Sequence, residues 1–175
     1  MVEQQEASED AVMTRIGQAV MLLHGGDREE ARNRFGLLWS ELGADGDALH
    51  RCTLAHYMAD TQDDPGDELA WDLRALTAAE GLSGERPAEH PDSLAVQAFF
   101  PSLHLNLAAD YLKLQRPDAA RIHLRQARDA ADALEDSGHG GHGGHSGHGG
   151  HGGHSGYDGG VRAAIERLEL RMRGI

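Results

Sequence analysis

Residues 105–127 read LNLAADYLKLQRPDAARIHLRQA, and this stretch decides the fold. Leu105, Ala108 and Leu112 share one helical face, as do Ala120, Leu124 and Ala127 after a polar break. The first helix runs out near Leu114, and the second opens at Arg116. Pro117 falls in its first turn, where proline is tolerated because that backbone N–H has no helical partner. Two helices joined this tightly form a hairpin.

The same pattern extends along the chain. Apolar residues fall at helical spacing from Asp10: Val12, Ile16, Ala19, Val20, Leu22 and Leu23. Gly25-Gly26 stops that helix, and Asp27 caps the next, with Glu30 three residues on as in a capping box. Its stripe is Ala31, Phe35, Leu38 and Leu42. Gly43, Asp45 and Gly46 break the chain again. A third helix is expected over 47–62, a fourth over 67–80 and a fifth over 93–114 with a kink at Pro101. The sixth covers 116–134 and the seventh 161–173, with Ile165, Leu168, Leu170 and Met172 on one side. No segment alternates at strand period and β-branched residues are sparse, so the reading is all-α.

The motif Leu105-Asn106-Leu107-Ala108-x-x-Tyr111, followed by Ala120, Leu124 and Ala127, resembles a tetratricopeptide repeat of the kinesin-light-chain-like variety. Residues 16–38 are a weaker match through Ala19, Leu22, Gly26, Ala31 and Phe35, and 49–76 a weaker one still. The resemblance implies a tetratricopeptide-like stack of about three helical hairpins plus a C-terminal capping helix. Residues 1–9 would be a disordered lead, 10–136 the repeat domain, 137–160 a flexible loop and 161–175 the capping helix packed on the same domain. It also implies a concave surface that binds a peptide or protein segment. If Tyr111 holds its family position, Ser102, Leu105, Asn106, Ala109 and Lys113 face that groove, with Asn106 placed to bond a peptide backbone. Arg51, Thr53 and Tyr57 are the corresponding candidates on the third helix.

The chain has 175 residues, 16 basic and 29 acidic, for a net charge of −13. Residues 1–112 carry 7 basic and 21 acidic side chains. Such a body repels phosphate backbones and anionic membrane surfaces, so neither nucleic acid nor membrane is expected as a partner. No apolar run is long enough to span a bilayer, and no secretory leader is visible, which makes a cytoplasmic protein the expectation. A single cysteine excludes a disulfide framework. Of the basic residues, all but Lys113 are arginine.

The second feature is a tract in which His139, His142, His145, His148, His151 and His154 recur every third residue as HGG or HSG. Its composition predicts a mobile loop. Neutral imidazole suits nickel, zinc and copper, and glycine lets several rings gather on one ion, so the tract is a candidate metal-handling element. Slippage in a GC-rich gene could equally leave such a repeat as a tolerated linker.

Cys52, His56 and Asp60 form a stripe at four-residue steps, but an incomplete ligand set favours a buried thiol beside surface residues. His24, His50, His104 and His123 read as isolated, and Trp39 and Trp71 as packing anchors. The glycine pattern at 138–143 matches a dinucleotide fingerprint only as a by-product of the repeat. No catalytic motif appears. The expectation is a non-enzymatic protein-binding module that requires no cofactor. Its alternative is storage or delivery of nickel, zinc or copper ions. Oligomeric state is left open.

Overall fold

The computed structural model describes residues 2–83, 96–139 and 154–174, with side chains described over 11–82, 96–136 and 160–174. Among them it is all-α, with no strand. Seven helices follow in order: α1 Val2–His24, α2 Arg28–Leu42, α3 Ala48–Ala59, α4 Pro65–Ser83, α5 Phe100–Lys113, α6 Pro117–His139 and α7 His154–Arg173. The chain divides into two compact units, Met1–Val96 and Gln97–Ile175.

In the first unit α1 pairs with α2, α3 pairs with α4, and α3 also packs on α1 and α2. The turn between α1 and α2 is made as its glycines suggest. The Asp27 N–H donates to the Leu22 carbonyl at 2.9 Å, and Gly26 sits at φ +91°, a conformation that costs other residues about 1–2 kcal/mol. Asp27 does cap α2, accepting from the Glu30 N–H. The capping box is only half made, however. The Asp27 N–H is already spent on Leu22, and the Glu30 carboxylate turns instead to Arg34 Nε at 2.8 Å. Asp47 caps α3 through the His50 N–H at 2.9 Å, and Asp64 caps α4 with Pro65 at its first position.

Ile16, Ala19, Ala31, Phe35, Leu38, Leu54 and Met58 form the first unit's apolar cluster, with Phe35 wholly buried. Two arginines of α2 reach across to the turn after α3. Arg28 donates to the Gln62 carbonyl and Arg32 to the Thr61 carbonyl, and both pair with Asp63, at 2.8 and 2.9 Å. They give partners to carbonyls of that turn, which lies outside any helix.

In the second unit α5 and α6 form the hairpin read from residues 105–127, and α7 packs on both. Ala108, Ala120, Leu124, Ala127 and Ala131 meet Ile165, Leu168 and Met172 in one core. Each of the three large side chains from α7 contributes about 1.5–3 kcal/mol by leaving water. Ion pairs edge the seam: Arg128 with Glu169 at 2.6 Å, and Arg162 with Asp132 at 2.9 Å and Glu135 at 2.8 Å.

Three boundaries depart from the sequence expectation. The fifth helix does not kink at Pro101. Pro101 has no N–H to give the Gln97 carbonyl, so the helix begins afresh at Phe100 with the proline in its first turn. Of the stretch read as a disordered lead, residues 2–9 belong to α1. The expected loop over 137–160 is shorter at both ends, because α6 continues to His139 and α7 begins at His154. Extending an existing helix needs no new nucleus.

The turn between α5 and α6 places Gln115 at φ 58°, a left-handed conformation in a residue with a side chain. The Arg116 N–H closes it on the Tyr111 carbonyl at 2.8 Å. Gln115→Gly is expected to stabilise the protein by about 1 kcal/mol, measured as a higher midpoint in urea unfolding.

Candidate functional site

The residues expected to share one groove divide between the two units: Ser102, Leu105, Asn106, Ala109 and Lys113 lie on α5, and Arg51 and Tyr57 on α3. Ser102 is buried, and Leu105 and Ala109 pack against the α5–α6–α7 core. Asn106 is half-buried, and Lys113 is exposed with its Nζ 3.6 Å from Asp110. Tyr57 and Arg51 belong to the first unit. Tyr57 stacks on Phe35 at 6.2 Å and meets the His56 ring edge-on at 5.2 Å. Thr53 turns its hydroxyl back to the Leu49 carbonyl. Of the metal-ligand candidates, His142, His145, His148 and His151 lie outside the described residues. His139 and His154 mark only the end of α6 and the start of α7. Among the described residues no group of three or more metal-binding side chains comes together.

Arg51 does stand at an open site. Its guanidinium lies 4.2 Å over the Trp39 ring and donates to the Gly43 carbonyl. Trp39 meets Trp71 edge-to-face at 5.1 Å, and Arg74 lies 4.5 Å over Trp71. The result is a ladder of arginine, tryptophan, tryptophan, arginine. Its arginines border a cleft of about 450 Å³ between the α2–α3 turn, α3 and α4. Leu73 and Thr77 line it together with small residues, among them Ala44, Ala48 and Ala78. Gly46 is required there, since a Cβ would stand 2.6 Å from the Leu42 carbonyl oxygen. The small residues leave the space, and the tryptophans hold the two guanidinium planes beside it. Each stacked pair contributes about 0.5–1 kcal/mol at such an exposed position.

Beneath this surface the sulfur is chemically quiet. Cys52 has no exposure, and its pKa is pushed up to about 12, first by burial and then by Asp72. A nucleophilic cysteine needs the opposite environment. His56 approaches Asp72 of the neighbouring helix, with Nδ1 3.9 Å from Oδ1. Asp60 itself is exposed at the end of α3.

The second unit holds an arrangement that the sequence hid. His104 of α5 and His123 of α6 face each other with their Nδ1 atoms 3.1 Å apart, so one ring donates and the other accepts. Phe100 stacks on His104 at 6.2 Å, and Tyr111 on His123 at 5.4 Å. Burial, aided by His123, holds His104 down at about 4, and burial lowers His123 as well. Both rings are neutral at physiological pH. A helical signal existed, since Phe100, His104 and Tyr111 lie on one face of α5. Its partner, however, lies 19 residues beyond His104 on another helix.

Because the folded pKa of His104 lies below its ordinary value near 6.5, folding favours the neutral ring. The stability gained is complete above pH 6.5 and is lost as pH falls toward 4. Acidification over that window should cost on the order of 2 kcal/mol through this pair, after allowance for its partial solvation. His104→Gln should flatten that part of the pH dependence, read from urea unfolding at several pH values.

Compared with known proteins, the chain matches no protein-family model, no curated protein and no solved structure.

Proposed function

We propose that this chain is a protein-interaction module, tetratricopeptide-like in its paired helices, that binds a segment of a partner protein. The observation that supports this reading is the cleft bordered by Arg51 and Arg74 over the two tryptophans. Stacking on an aromatic face leaves the edge N–H groups of a guanidinium free to meet a carboxylate. Leu73, more than a third exposed, offers apolar contact beside them. The occupant that fits is a short segment with a carboxylate set among apolar side chains. On this reading the chain is a non-enzyme that needs no cofactor.

The protein has two tryptophans, and both lie under the cleft's arginines. Titration with a short fluorescein-labelled peptide of alternating Asp and Leu should therefore change intrinsic tryptophan emission. Arg74→Glu is expected to weaken binding by at least about tenfold. Binding seen by anisotropy with no change in tryptophan emission, or no binding at all, would sink the reading.

A second reading rests on the six-fold histidine pattern at 139–154 and treats that tract as a carrier of nickel, zinc or copper ions. Calorimetric titration of each metal into the full chain and a 138–156 deletion discriminates the two. Tight, selective binding at neutral pH that is lost on deletion and on mild acidification supports a metal role. Weak, unselective binding makes the tract a linker.

A further inference from the structure

The second unit carries a concavity of about 300 Å³ between α6 and α7, bordered by four arginines. Arg121, Arg125 and Arg128 recur at four and three residues along one face of α6, spanning about 10 Å of helix. Arg173 joins them from the last turn of α7. Leu124 and Met172, both nearly buried, form an apolar floor, and Glu169 stands at one side.

These arginines are not equally committed. Arg128 pairs with Glu169 at 2.6 Å, and Arg121 with the exposed Asp118 at 2.9 Å. Arg125 and Arg173 are exposed and have no ion pair or hydrogen bond among the described residues. Counting the two acids against the four guanidiniums leaves two positive charges on one small concavity. The unit that carries it, residues 97–175, has nine basic and nine acidic side chains, so these charges are a local surplus on a unit that is balanced as a whole.

The geometry points to a phosphoryl group as the ligand, and we propose that this concavity is a phosphoryl-binding site. A carboxylate has two oxygens and one charge, which a single guanidinium fork already satisfies. A phosphoryl group carries a charge near −1.5 to −2 at neutral pH and three acceptor oxygens. It thus matches the two uncommitted guanidiniums of Arg125 and Arg173. The Leu124–Met172 floor accommodates a short apolar arm beside the phosphate. Such a group reaches the site either as free phosphate or on a phosphorylated serine of a partner protein. The site is separate from the tryptophan-backed cleft and does not depend on it.

Two probes test the site on the full chain: inorganic phosphate, and a short fluorescein-labelled peptide with one phosphoserine flanked by leucines. Binding is followed by backbone and arginine side-chain NMR shifts, with chloride at matched ionic strength as the blank. The expected result is saturable shifts centred on Arg125, Arg128 and Arg173. Arg125→Gln should weaken binding about tenfold with an unchanged circular-dichroism spectrum. A phosphopeptide that binds more tightly than phosphate identifies a protein-borne source. Equal affinities identify free phosphate, and both results support the site. The proposal is overturned if neither probe exceeds the chloride blank or if Arg125→Gln binds as the parent does. It is also overturned if a peptide with glutamate in place of phosphoserine binds equally well. Because tryptophan is confined to the first unit, occupancy here should leave tryptophan emission unchanged. Failure at this site and failure at the cleft are therefore read independently.

Discussion

Close approach of paired helices at fully buried alanines is the constraint on which the rest depends. Ala19 and Ala31 occupy it in the first hairpin, and Ala108, Ala120 and Ala127 in the third, all without exposure. Ala55, Ala75 and Ala79 are equally buried on α3 and α4, which pack together. Packed helices sit about 8–10 Å apart, and the side chains at the contact set the distance. A larger residue at any of these positions would separate a pair or force strained rotamers. The two sites described here inherit that spacing. The Trp39–Trp71 contact joins α2 to α4, and the His104–His123 bond joins α5 to α6. Neither survives much separation of the helices.

The same close packing decides which groups can react. Burial raises the Cys52 thiol and lowers His104, so each is held in its neutral form. Asp72 lies in the α3–α4 interior with His56 near it and remains there as part of the packing. What meets solvent in concave form is arginine: Arg51 and Arg74 in one unit, Arg121, Arg125, Arg128 and Arg173 in the other.

Much of the architecture was legible because it is written in local signals. Gly25-Gly26, Asp27 and Asp47 punctuate the chain within one helical turn of where they act, and the stripe Ala31, Phe35, Leu38 needs only a period of 3.6. Pro101 was visible but misjudged. A proline can break a helix or start one, and the choice depended on whether residues 96–99 stay in line with it. The half-made capping box failed for a related reason: Leu22, four residues before the aspartate's neighbour Gly26, competes for the same N–H. The sites were least legible. His104 and His123 look unrelated until two helices are laid side by side, and Trp39 and Trp71 look like ordinary core residues until each is seen beneath an arginine. The family pattern points to Arg51 but not to its neighbours in space, Trp39 and the α2–α3 turn.

The near-absence of lysine then has a structural meaning besides any bias in the coding sequence. Lysine could replace arginine as a point charge, but not as a plane. A guanidinium stands 4.2 Å over Trp39 and another 4.5 Å over Trp71, and the first also donates to the Gly43 carbonyl, two tasks an ammonium head cannot do as well. Along α6 the forked guanidiniums of Arg121 and Arg128 each engage an acid while lining the concavity, and that of Arg125 is left uncommitted. If the two concavities take anions as proposed, directional, multi-donor cations suit them better than point charges would.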